Sequence, residues 1–136
     1  MNVHALDIEV LNAGALAPGD PLPLEVRELC VLALASAGIR EGHLAVTFVT
    51  AERIRELNRD HRGRDTPTDV LSFGVDEDGE SAGPRELGDI IICPDHTEDL
   101  REAIIHGALH LAGMDHETDE GEMLALQSEL VRWIST

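Results

Sequence analysis

The chain contains no lysine, and its ten arginines stand against 27 acidic residues, for a formal charge of −17. A surface of that sign argues against strong nonspecific attachment to a polyanion. No apolar run approaches the roughly twenty residues that cross a bilayer. The opening MNVHALDIEV has acid where a secretory leader has a basic start and a greasy middle, so a soluble, unsecreted protein is expected. Only two cysteines are present, too few for a disulfide framework. Cys30 and Cys93 sit in the apolar settings ELCVLALA and DIIICPD, where cysteine behaves as a small buried hydrophobe in a reducing cytoplasm. There is no internal repeat and no linker long enough to divide 136 residues, so one domain over 1–136 is expected.

Apolar residues make up 43% of the chain, enough for one core, and their spacing suggests the elements around it. A first strand is expected over 3–10, then a Gly/Pro turn. Pro23 suits the opening turn of a helix running to about Ala37, with Gly38 as its terminator. HLAVTFVT at 43–50 reads as a strand and 51–59 as a short helix with Ile54 and Leu57 inward. Residues 60–69 have loop composition, 69–75 form the next strand, and the acidic stretch 76–86 reads as a turn or hairpin connection. The run of isoleucines in LGDIIIC at 87–93 suits a central strand. Asp95 with Glu98 is read as a capping box for a helix over 96–112, and Asp119 with Glu122 as one for the last helix. That last helix carries the stripe Met123, Leu124, Leu126, Leu130 and Trp133. The pattern predicts an α+β domain, a small mixed sheet packed against several helices.

The segment REAIIHGALHLAGMDHE is the most informative. His106 and His110 are four apart, which places both imidazoles on one side of a helix otherwise clothed in hydrocarbon. Either histidine alone would be an ordinary core residue with its own hydrogen-bond partner. Two together require two separate desolvation costs to be met in one small region. Gly113 permits a sharp departure from the helix, so that His116 can return toward them. HxxxHxxGxxH thus offers three nitrogen ligands and leaves the fourth tetrahedral place open, the arrangement of a catalytic zinc. His96 is a further nitrogen nearby, more in keeping with a surface role.

Zinc proteases with an HExxH helix place a glutamate after the first histidine, but Gly107 stands there, which weighs against peptide hydrolysis and leaves phosphodiester cleavage open. The general base is unassigned among Asp115, Asp89, Asp69 and the substrate phosphate, and any of these carboxylates is equally a candidate to orient a histidine. Five arginines, Arg53, Arg55, Arg59, Arg62 and Arg64, fall within twelve positions. Arginine's planar fork suits phosphate. Arg62 is the best electrophilic partner, able to stabilise charge on nonbridging oxygens, with Arg59 a further candidate for substrate. Asn58 is read either as a substrate group or as a cap of the preceding helix.

Taken together, LN at 57–58, RG at 62–63, PTDVLSF at 67–73, LGDIIICP at 87–94 and HGALHLAGMDH at 106–116 resemble the YbeY family of rRNA maturation endoribonucleases. The resemblance covers most of the chain from residue 43 onward. It implies a zinc on His106, His110 and His116, Arg62 in the active cleft, and cleavage of single-stranded RNA. It also implies maturation of the 16S rRNA 3′ end and late 70S ribosome quality control, with the small subunit and a ribosomal protein as partners and neither DNA nor membrane. Two departures stand out: Met114 replaces the family's usual aromatic, and the stretch 94–105 is short. The alternatives are a zinc peptidase and a noncatalytic, ribosome-associated metal-binding protein.

Overall fold

A computed structural model describes residues 6–75 and 85–135. Most of the acidic connection at 76–86, and the first residues of the strand expected over 3–10, lie outside them. The elements run β1 (Leu6–Leu11), α1 (Pro23–Ser36), β2 (Gly42–Phe48), α2 (Ala51–Arg62), β3 (Val70–Gly74), β4 (Glu86–Ile92), α3 (Leu100–Leu111) and α4 (Glu122–Ile134). The strands form one mixed sheet in the order β1-β2-β4-β3, with β3 antiparallel to β4 and the other pairs parallel. This is the α+β class expected, and no described helix is long and apolar enough to cross a membrane.

Alternation along the strands sorts side chains to two faces. Leu44, Val46 and Phe48 of β2 and Ile90 and Ile92 of β4 enter the main core with residues of α1, α3 and α4. Ile91 and the β3 residues Leu71 and Phe73 face the other way, where α2 covers them with Ile54 and Leu57. The interior position of β4 explains its continuous isoleucines, since both of its faces are covered. Its register shifts by one opposite His43 and Leu44, which turns Leu87 into the core while Asp89 stays on the α2 face. Gly88 permits the shift: its φ is +131°, and a Cβ there would lie 2.2 Å from the Phe73 carbonyl oxygen.

Several boundaries move from those expected. The α2 helix continues through Arg62 to Gly63, which adopts φ +73° and ends it, so Arg62 stands on the last helical turn and not in a loop. The helix expected from residue 96 begins at Leu100 instead. Pro94–His96 forms a 3-10 turn, the Thr97 hydroxyl donates to the Cys93 carbonyl at 2.7 Å, and Thr97 itself is extended. The cap is therefore Asp99, accepting from the Glu102 N–H at 3.1 Å, and not the Asp95–Glu98 pair. Asp119 and Glu122 do serve α4, by a wider arrangement around Gly121: Asp119 accepts from the Met123 N–H and Glu122 from the Glu120 N–H. Met123 and Leu130 are buried, but Leu124 and Trp133 lie on the outer side at 45% and 65% exposure, so the apolar stripe is narrower than read. Cys30 and Cys93 are free and buried, and burial pushes the Cys30 thiol up to about 12.

On the α2 face, His43 lies between strands β1 and β4, its Nδ1 2.9 Å from Glu86 and its Nε2 3.3 Å from Glu9. Only the imidazolium donates from both nitrogens, and the bond to Glu86 chiefly raises the His43 pKa, against the opposing effect of burial. The folded chain therefore holds this proton more tightly than the unfolded one. The bridge contributes fully below about pH 6.5 and is lost as pH rises through the folded-state value. His43→Gln is expected to cost about 0.5–1 kcal/mol in urea unfolding at pH 6 and almost nothing at pH 9. An equal cost at both pH values would contradict the bridge.

Candidate metal centre

Helix α3 has an N-cap at Asp99 and hydrocarbon on almost every side: Ala103, Ile104, Ile105, Ala108, Leu109 and Leu111 are all buried. His106 and His110 lie on its remaining face and are half-buried. The helix ends in a Schellman turn: Gly113 takes φ +100°, its N–H reaches the His110 carbonyl, and the Met114 N–H reaches that of Leu109. This reversal returns His116 to the other two. The ring centroids are 4.8 to 5.2 Å apart, and one ring nitrogen from each histidine lies within 4.8 Å of those of the others. No other His, Cys, Asp or Glu among the described residues joins this group. His96 is exposed and outside it.

The donor set fits a metal. His110 Nδ1 is 3.1 Å from the Met114 carbonyl, which can only accept, so the proton resides on Nδ1 and the Nε2 lone pair is available. Burial, reinforced by the neighbouring imidazoles, lowers the His110 pKa and favours the neutral, ligating form. Nitrogens held about 2.0–2.1 Å from a tetrahedral zinc lie roughly 3.4 Å apart. A spacing within 4.8 Å needs only small side-chain adjustments to reach that.

The triad opens into a cleft of about 640 Å³ between α3, the β3 edge and the loop preceding α4, lined also by Arg62, Thr68, Asp69, Ser72, Asp115 and Gln127. Of the five clustered arginines, Arg53 pairs with Glu56, Arg55 forks onto Asp65, and Arg59 turns to Asp60. Arg62 and Arg64 have no ion pair among the described residues, and Arg62 faces the cleft. Arg59 does not line it. Asn58 is buried and donates to the Thr66 carbonyl at 2.9 Å, which shapes the turn after α2. Arg62 and Asp115 thus line the same cleft as the triad, and Asn58 and Arg59 do not. Of the other candidate bases, Asp69 lines the cleft, accepting from the Val70 N–H, while Asp89 lies in a separate groove on the α2 face.

Comparison with known proteins finds relatives that match nearly the whole chain. The family model described as Endoribonuclease YbeY matches residues 24–135. The chain belongs to the YbeY family. A Bacillus velezensis protein named Endoribonuclease YbeY is 41% identical, covering 93% of this chain and 94% of its own. A Rubrobacter xylanophilus protein of the same name is 43% identical, covering 91% and 93%. A solution structure from Thermotoga maritima is similar with a TM-score of 0.56 and 30% identity, covering 94% of this chain and 92% of its own.

Two features of this YbeY-family cleft escaped sequence reasoning. Its walls are acidic: Asp69, Glu98, Asp99, Glu102, Asp115 and Glu117 surround one arginine, so the clustered arginines of α2 do not create a basic channel. Gln127 is the second, its Oε1 2.7 Å from His106 Nδ1. The available signal was a polar residue at i+4 from Met123 and i−3 from Leu130, on the inward face of α4.

Proposed function

We propose that this chain is a zinc-dependent endoribonuclease for single-stranded RNA, acting in the cytoplasm in maturation of the 16S rRNA 3′ end and in late 70S ribosome quality control. The observation that carries the reading is the convergence of three imidazoles in an open cleft that Arg62 also lines, in a YbeY-family chain. His106, His110 and His116 would hold one zinc per chain, which would supply Lewis acidity for phosphodiester cleavage. Arg62 directs its guanidinium to the nonbridging oxygens, where charge accumulates during displacement. Asp115 stands on the cleft wall as proton acceptor, with its Oδ1 held by the Glu117 N–H at 3.0 Å. The buried Asn58 supports the turn that follows Arg62.

The acidic walls favour delivery of RNA by the small subunit, with a basic ribosomal protein as bridge, over capture of free RNA from solution. Zinc-loaded protein is expected to cut a single-stranded RNA resembling the rRNA tail, read on a denaturing gel with and without small subunits. Arg62→Ala should retain zinc and lose about a hundredfold or more in rate. No cleavage under either condition would reject the enzymatic reading in favour of a noncatalytic ribosome-associated protein.

A further inference from the structure

Gln127 belongs to α4, an element that contributes no ligand to the triad, yet its side-chain oxygen meets His106 Nδ1 at 2.7 Å. We propose that Gln127 is the positioning residue of the metal centre, setting the tautomer and ring angle of His106 and thereby coupling the docking of α4 to metal occupancy. The inference rests on reading the triad as a metal site.

A neutral imidazole has one N–H, and an acceptor opposite Nδ1 holds the proton there and leaves Nε2 as the ligand atom. His110 obtains this from the Met114 carbonyl, a backbone group that cannot reverse its polarity. His106 obtains it from a side-chain amide, which can. With the amide turned over, its N–H would donate to Nδ1, the ring proton would move to Nε2, and that nitrogen would be closed to a metal. Metal binding therefore selects the accepting orientation. The selection reaches α4 directly, because Met123 and Leu130, on the same face as Gln127, are the buried residues that dock this helix. Binding that favours one arrangement of Gln127 must stabilise the packing that presents it.

Zinc affinity, measured by competition with a chromogenic chelator, and the histidine tautomers, read from long-range 1H–15N spectra of the metal-free protein, test this without reference to RNA. Gln127→Leu is expected to weaken zinc about 10- to 100-fold and to reduce the Nδ1–H population of His106 while leaving His110 unchanged. Gln127→Glu, which keeps an acceptor, should restore both. Cleavage by Gln127→Leu should recover at saturating zinc, which separates positioning of the ion from direct action on substrate. Wild-type affinity and an unchanged His106 tautomer in Gln127→Leu would overturn the proposal, as would a wild-type protein that retains no zinc. Should Gln127→Leu not fold, a His106 found with its proton on Nε2 in the wild-type spectrum would overturn it equally. A wild-type protein that binds zinc and loses it on Gln127→Leu, but cuts no RNA, would refute the nuclease reading and leave this one standing.

Discussion

His110→Ala is expected to abolish specific zinc retention and to lower RNA cleavage by more than about a hundredfold, exceeding the 10- to 100-fold typical of losing an outer partner of a ligand. The reason is geometric. Two remaining imidazoles cannot define the open three-nitrogen site that His106, His110 and His116 form together. The metal-free variant should stay within roughly 1 kcal/mol of the metal-free parent, because the lost group is half-buried and makes one bond, to Met114. Zinc in hundredfold excess over its dissociation constant should stabilise the parent by about 2.7 kcal/mol and the variant hardly at all. Thermal unfolding with and without zinc measures both differences. An equal zinc-induced shift in the two proteins would show that the ion binds elsewhere.

Gly107→Glu should come close to unfolding the protein. A Cβ at this position would lie 2.6 Å from Ile90 Cγ2 and 3.2 Å from the Ser72 hydroxyl, because α3 is pressed against β4 and β3 at this point. Ile90 is a fully buried, β-branched residue of an interior strand and has little freedom to withdraw. Overpacking costs about 1–3 kcal/mol, and enclosing an unpaired carboxylate adds several more. Their sum approaches the 5–15 kcal/mol typical of a whole domain. Gly107→Ala should be destabilised by only about 1–2 kcal/mol, since roughly 1 kcal/mol of helix propensity offsets the clash. Urea denaturation of both variants gives the comparison. The same contact weighs against the peptidase alternative, because the position where an HExxH helix carries its glutamate is packed against Ile90 and Ser72. A stable Gly107→Glu protein with peptidase activity would reverse that conclusion.

Legibility in the sequence followed the range of the interactions involved. The pairing of His106 with His110 and the reversal at Gly113 depend on residues a few positions apart, so helical spacing and glycine conformation disclosed them. Pro23 and Gly38 bracketed α1 for the same reason. The start of α3 was misplaced because two acidic pairs, Asp95–Glu98 and Asp99–Glu102, have equivalent spacing. A bond from Thr97 to Cys93 and the 3-10 turn at Pro94 select the second. The arginine cluster was legible only as a concentration of charge: spacing shows where guanidinium groups gather, but not that Asp60, Asp65 and Glu56 engage three of them.

By itself, the sequence determined the chemistry available to this protein: three imidazoles at ligand spacing and an apolar helix to hold the first two. Local backbone geometry is sufficient for that much. Tertiary structure decided which groups attend the chemistry. It brought Gln127 to His106 across 21 positions, placed Asp115 and Arg62 on the cleft while leaving Asn58 in a turn and Asp89 on the opposite face, and set Gly107 against Ile90. Those outcomes depend on strand order, on the shifted register at Gly88 and on helix docking. Each is a packing solution of the whole chain, and no short segment contains it.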